Sequence, residues 1–350
     1  MKKIKQLIIK NWSVIAIVII WFGIVLTNFS PNTFLSGWDN LHSEFNFSIN
    51  LKRALFASWQ EYQGLGLLGG MGHGADLFRQ ILLWISSLVL PVNFIRYFFH
   101  FSMLLSGSLG IYFLLKDFVL EKYSEFGKKW GALAGAIFYL FNLGTLQSFY
   151  LAWEAFSVHF GFLPWLFWGV FKYLREPSKK NLLIFVLINI LAVSQGYVAT
   201  VFLVYVMALG LVLAGYVALG HSGEERSDDS RIRFWMRPVT AGLTRMTIKV
   251  LIIFLIIFCV NAFWLVPNLY FVFNDVGTNT GAKMNLMATE DNLLRNKEYG
   301  DFKNSALLKG FWFENVELQN NGSTDYIMGD WVNHFQNPYF SGGIQSWRIP

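Results

Sequence analysis

Seven long apolar runs constrain this chain more than any motif in it. They cover about residues 12–29, 97–116, 131–149, 158–174, 181–195, 198–219 and 249–272. A helix needs about 20 apolar residues to cross a bilayer, and seven runs near that length in 350 residues leave little room for a water-soluble core. Composition agrees: 54% of residues are hydrophobic and only 14% charged, where soluble domains carry about 25% charged residues. The expected fold is an all-α polytopic membrane protein with about seven transmembrane helices.

The basic residues orient the runs. Lys2, Lys3, Lys5 and Lys10 precede the first; Lys116, Lys122, Lys128 and Lys129 lie between the second and third; Lys172, Arg175, Lys179 and Lys180 follow the fourth; Arg226 to Lys249 precede the seventh. The turns near 150–157 and 196–197 contain no lysine or arginine. Under the positive-inside rule this pattern puts the N-terminus in the cytoplasm. The basic start followed by an apolar run also has the look of a signal peptide, but no small-x-small site follows, so an uncleaved first span is expected. The net charge of +6 then reflects loop lysines and arginines, which speaks for anionic lipid and against nucleic acid. The lone cysteine, Cys259, permits no disulfide within the chain.

A long outer loop, residues 30–96, should separate the first two spans. Its stretch 77–91 is apolar but short and ends at Pro91, so it reads as a re-entrant or surface-lying helix; counting it as a span would reverse every later loop. Within "FNFSINLKRALFASWQ", Phe47, Leu51, Leu55 and Trp59 recur every fourth residue, as on one face of an interfacial helix or of a helix packed on the bundle. Residues 1–275 form the membrane module, and the polar, glycine- and asparagine-rich 276–350 read as the start of an extracytoplasmic region that is truncated.

Candidate chemistry gathers on the outer side. "GWDNLHSEF" places Trp38, Asp39, Asn40, His42 and Glu44 just beyond the first span. A carboxylate at a membrane boundary beside an aromatic wall can have its pKa raised into the working range of a general base. The plainer alternative is that Asp39 or Asn40 caps a helix and Glu44 is a first-turn acid. The run Gly64–Gly74 contains G-x-G-x-x-G, but it lies between two amphipathic segments on the outer face, where no cytosolic nucleotide is available, so a dinucleotide fold is excluded; an anion cradle or a tight connection remains. Gly72, His73, Asp76 and Arg79 follow, with Asp76 placed to N-cap the next helix and Arg79 free to meet a phosphate or to snorkel. Trp153 and Glu154 in "YLAWEAF" make an acid framed by aromatics, suited to a sugar or to an interfacial belt around a solvated glutamate. No spacing of His, Cys or acids defends a metal site.

The segment "GWDNLHSEFNFSINLKRALFASWQEYQGLGLLGGMGHGADLFRQ" resembles the N-terminal region of alpha-(1→3)-arabinofuranosyltransferases, members of the GT-C superfamily of integral-membrane glycosyltransferases. The resemblance is clearest over residues 36–100 and continues as layout to about 275. It implies a polyprenyl-phosphate sugar donor, a cell-envelope glycan acceptor, membrane lipids as surroundings, and a catalytic acid that maps to Asp39, with Glu44 second. By position, and not from the resemblance, substrate contacts are expected at Trp38, Asn40, His42, Gly72, His73, Asp76, Arg79, Trp153 and Glu154, and Lys52, Arg53, Arg79 and Arg96 are the cations of the outer loop available to the leaving phosphate. Some branches carry two acids, D-x-D or D-D, where this chain reads "WDN"; a divalent cation, Mg or Mn, is therefore left open and no ligand for it is assigned. The rival reading without transfer chemistry is a lipid or glycan transporter, which should bury charges in mid-span, and the runs here hold almost none. A scaffold for envelope assembly is the third.

Overall fold

A computed structural model describes residues 2–35, 43–60, 67–68, 72–150, 153–222, 242–277, 299–309, 316–318 and 322–326, with single positions 281, 294, 297 and 329. Among these, five helical stretches are long and apolar enough to cross a membrane: Lys10–Asn28, Val92–Val119, Lys179–Tyr197, Ala199–Val217 and Thr247–Asn274. The chain is a mostly helical membrane protein. Its contacts separate it into two units, one of residues 1–139 and 152–275, the other of 140–151 and 276–350.

In the first unit, α1 (Lys2–Asn28) kinks at Asn11, whose backbone leaves the helical region. Its Ser13 Oγ meets Tyr112 Oη at 2.7 Å and its Trp21 Nε1 donates to Phe101 O at 2.7 Å, fixing it against α4 (Val92–Leu114). A short 3-10 turn (Ser43–Phe45) leads to α2 (Phe47–Leu55), whose first N–H groups are capped by Asn46 Oδ1 accepting from Ile49 N at 3.1 Å. A two-residue ladder, β1 (Trp59–Gln60) with β2 (Leu67–Leu68), precedes a second 3-10 turn (His73–Asp76) and α3 (Leu77–Ser86).

For α2 the four-residue pattern overshoots the helix and does not mark a face packed on the bundle. Leu55 and Trp59 are exposed, and the buried positions of the helix are Asn50 and Ala54. Trp59 lies beyond the helix, in β1. Its inward face is set by packing on α3 and the 3-10 turns, which takes small and polar side chains.

By contrast α3 is a short separate helix, as Pro91 predicts, and it is inside out relative to a soluble one. Arg79, Gln80, Leu83 and Ser86 are buried, while Ile81, Leu82, Trp84, Ile85, Leu88 and Val89 in and after it are exposed. An apolar outer face over a polar inner one is stable where the surroundings are hydrocarbon rather than water.

The membrane module is held by α4 and α7 (Glu154–Arg175). Small residues let their backbones approach: a Cβ on Gly107 would stand 2.7 Å from Phe160 O, and one on Gly161 would stand 3.1 Å from Met103 O. Ser106 Oγ donates to Gly161 O at 2.9 Å, and Trp165 Nε1 donates to Ser106 O at 2.9 Å. The "LLSGSLG" stretch is thus a packing seam. Around it lie α5 (Glu125–Phe141), α8 (Lys179–Ala192), a 3-10 turn (Val193–Tyr197), α9 (Ala199–Ser222) and α10 (Gly242–Asn274). Tyr205, Leu209, Ile253, Ile257 and Trp264 form the largest buried apolar cluster with Leu166, Val170 and Phe185.

The stretch expected as one span at 131–149 is two helices. α5 stops at Phe141, and Asn142 Oδ1 accepts from Thr145 N at 2.9 Å to start α6 (Leu143–Tyr150). An asparagine that caps a new N-terminus ends the preceding helix, which hydropathy averaging does not register. In the second unit α6 is accompanied by α11 (Phe302–Ala306), capped by Asp301 Oδ1 accepting from Asn304 N at 2.7 Å, and by an antiparallel pair, β3 (Val316–Leu318) with β4 (Thr324–Tyr326).

Candidate functional site

Five elements bring five charged side chains together in the first unit. Asp76 closes the 3-10 turn, Arg79 lies on the first turn of α3, Arg96 on the first turns of α4, Glu154 at the start of α7, and Glu44 in the turn before α2. Arg79 Nε and Nη2 donate to Asp76 Oδ1 and Oδ2, each at 2.6 Å, a two-pronged pair. Arg79 Nη1 lies 3.5 Å from Glu154 Oε1, and Arg96 Nη2 donates to that same oxygen. Arg96 Nη1 is 4.0 Å from Glu44 Oε1. The order Asp76, Arg79, Glu154, Arg96, Glu44 alternates in sign along its length, and every member is at most 7% exposed.

Local sequence explains the assembly. Asp76, Arg79 and Gln80 are spaced i, i+3 and i+4, so Gln80 Nε2 also reaches Asp76 Oδ2, at 2.6 Å. His100 stands one turn beyond Arg96 on α4, and Ser157 nearly one turn beyond Glu154 on α7, so a second cross-helix pair lies below the ion pair. There Ser157 Oγ donates to Trp153 O at 2.9 Å, and His100 Nδ1 meets Ser157 Oγ at 2.6 Å. The Arg79 guanidinium lies 5.8 Å from the centre of the Phe99 ring.

The glycines before α3 seat the loop on the bundle. A Cβ on Gly72 would stand 2.1 Å from Gly196 O, and one on Gly196 would stand 2.4 Å from the Trp264 ring. Only glycine permits this three-layer contact. Ser194 Oγ accepts from Arg79 N at 3.3 Å and donates to Ala75 O at 3.1 Å, tying the same segment to the turn between α8 and α9. His159 Nδ1 and Gln195 Oε1, 2.8 Å apart, secure that turn to α7. His73 packs edge-on against Tyr197, with ring centres 5.2 Å apart. Burial pushes its pKa down to about 4, the nearby Arg53 adds to the fall, and Asp76 opposes it, so the ring is neutral near pH 7.

Three expectations are overturned here. Asp76 does not cap α3: its side chain makes no capping hydrogen bond and holds Arg79 and Gln80 instead. Arg79 neither snorkels nor reaches an exposed surface, because two carboxylates compensate it in the interior. Glu154 is not a solvated acid in an aromatic belt; two guanidiniums share one of its oxygens. Glu44 is likewise buried. Trp153 is half-buried, against Phe156 at 5.0 Å. Lys52 is exposed, and Arg53 is half-buried on α2. Trp38, Asp39, Asn40 and His42 lie outside the described residues, as do Gly64, Gly66 and Gly69. Sequence reasoning passes over Gln80, His100 and Ser157; a polar residue every third or fourth position facing an apolar helix is the signal that marks them.

Arg96 and His100 also lie within one of the five apolar stretches, contrary to the expectation that the spans hold almost no ionisable groups. Among the described residues no three His, Cys, Asp or Glu side chains are grouped to hold a metal ion. Comparison with family models, with curated proteins and with solved structures finds no match to this chain.

Proposed function

We propose that this protein is a GT-C-type membrane glycosyltransferase that moves a sugar, arabinofuranose being the first candidate, from a polyprenyl-phosphate donor to a cell-envelope glycan. In this reading it sits in the plasma membrane with a cytoplasmic N-terminus. α5 and α7 complete seven spans, α2 and α3 lie along the outer boundary, and residues 276–350 are extracytoplasmic. The resemblance of residues 36–100 and the distribution of lysine and arginine support this arrangement.

The observation that carries the proposal is the buried run from Asp76 to Glu44, which joins the loop after the first span to α4 and α7. Transfer from a lipid phosphate requires a base for the acceptor hydroxyl and cations for the departing phosphate. Arg79 and Arg96 supply two guanidiniums in a site from which water is excluded, and carboxylates hold them there until an anion competes. Arg96 and Glu44 close the run at 4.0 Å, at its end nearest in sequence to Asp39. Asp39, five residues before Glu44, is the proposed base.

The test is sugar transfer in liposomes carrying decaprenyl-phosphoryl arabinofuranose, mannose or glucose and an oligosaccharide acceptor. Loss of transfer in Asp39→Asn supports the assignment; full retained activity removes Asp39 as base, and no transfer by the unmodified protein from any of these donors removes the reading. A second reading, a lipid or glycan transporter, is favoured by one observation, the ionisable Arg96 and His100 within an apolar helix. Lipid translocation in vesicles without an acceptor distinguishes it.

A further inference from the structure

Four side chains beside the buried charges hold polar atoms that make no hydrogen bond among the described residues. They are Ser43 Oγ, both ring nitrogens of His73, Gln80 Oε1 and His100 Nε2. Their residues are 0%, 4%, 1% and 4% exposed, so bulk water does not serve them. Each stands next to the run of charges. Ser43 precedes Glu44, His73 shares a turn with Asp76, Gln80 donates to Asp76, and His100 is one turn from Arg96. A buried polar atom left unpaired costs about 1–3 kcal/mol, and native proteins keep few of them. Five around one network mark a place that calls for a partner beyond the described residues.

The chemistry of that partner can be read from the atoms. Gln80 Nε2 donates to a carboxylate oxygen, which fixes the amide and leaves Oε1 as an acceptor. Ser157 spends its only proton on Trp153 O, so it accepts from His100, whose Nδ1 carries the hydrogen. In the neutral ring His100 Nε2 is then an acceptor too. Two fixed acceptors require donors. An ionised phosphate has no proton to give, whereas a hydroxyl gives one and can accept from His73 or Ser43 in return.

We propose that Ser43, His73, Gln80 and His100 form a hydroxyl-reading subsite beside the buried charges, which takes the sugar and not the phosphate of a lipid-linked donor. This rests on the transferase reading for the identity of the ligand, and on the pairing pattern alone for its hydroxyl character. Gln80 and His100 would read hydroxyl donors while Arg79 and Arg96 face the phosphate.

The experiment is thermal stabilisation of the detergent-purified full chain, titrated without acceptor. Its probes are decaprenyl phosphate and the same lipid bearing arabinofuranose, mannose or glucose. At least one sugar-bearing lipid should act at about tenfold lower concentration than the sugarless one, the equivalent of one or two hydrogen bonds. Gln80→Met should remove most of that preference, read as the ratio of the sugar-bearing to the sugarless midpoint within the variant, because Gln80 also holds Asp76 beside Arg79. Ser43→Ala gives the same comparison if Gln80→Met does not fold. Equal midpoints for all four lipids, the result if these atoms bind only ordered water, overturn the proposal, as does full preference retained in the variants. The two readings fail separately: preference without transfer spares the subsite and sinks the transferase, while transfer with preference unaltered in both variants sinks the subsite alone.

Discussion

Arg96 and Glu154 meet between the first turns of α4 and α7, 58 residues apart in sequence and both almost fully buried. The same carboxylate oxygen lies 3.5 Å from Arg79, so one acid compensates two guanidiniums. Removing a partner from a buried pair strands a charge, which costs about 3–5 kcal/mol, far more than the pair contributes over an apolar replacement.

Glu154→Gln is therefore expected to destabilise the protein by about 3–5 kcal/mol. The control is the partly exposed Arg175–Glu121 pair, where Glu121→Gln should cost no more than about 1 kcal/mol. Melting of the two variants in the same detergent checks both; a Glu154→Gln midpoint close to that of Glu121→Gln would contradict the central role of Glu154.

Gly72 and Gly196 should not tolerate alanine, because the added methyl meets backbone oxygen at 2.1 Å in one case and the Trp264 ring at 2.4 Å in the other. Overpacking of this kind costs about 1–3 kcal/mol or more. At Gly210, in α9, an added methyl would have nothing within 4 Å, and there alanine should be neutral or mildly stabilising by helix propensity. Expression and melting of the three alanine variants give the comparison, and equal behaviour of all three would count against the close contact between the loop and the turn after α8.

The parts of this fold legible from sequence are those set by runs of one character. Hydropathy marks α1, α4, α8, α9 and α10, and the interruption at Pro91 marks α3 as a separate short helix. What escapes is pairing at a distance. Nothing near Glu154 in the sequence indicates that Arg96 and Arg79 will neutralise it, so an acid next to aromatics reads as solvated. Arg79 reads as a snorkelling residue because Asp76, three positions before it, reads as a helix cap, and its second carboxylate, Glu154 on α7, is 75 positions away. The helix break at Asn142 is a local signal that averaging over a span suppresses. Asp39, the residue on which the proposed chemistry turns, lies outside the described residues, and its role rests on sequence position and resemblance.

Acid should weaken the fold through His73. Its folded pKa of about 4 lies below the unfolded 6.5, so between those values the unfolded chain binds more protons and stability rises with pH. Above pH 6.5 the ring is neutral in both states and contributes no pH dependence; on acidification through 6.5 towards 4 up to about 3 kcal/mol is lost. His100 and His159 are also buried or nearly so, so the measurement is the difference between the unmodified protein and His73→Gln. A variant whose melting temperature falls as steeply between about pH 7 and 4.5 as the parent would exclude His73 as a source.

Glu44 and Asp39 are separable by stability. Glu44 is buried beside Arg96, and a side chain that compensates a guanidinium anchors the turn Ser43–Phe45 to α4 whether or not chemistry occurs nearby. Glu44→Gln keeps the shape and removes the charge, so it should lower the melting temperature and reduce transfer in proportion to the folded protein lost. Asp39→Asn should abolish transfer per folded molecule without a comparable loss of stability. Measuring both quantities on both variants decides between the two acids. Were Glu44→Gln to melt like the parent and transfer nothing, the base would be Glu44 and not Asp39.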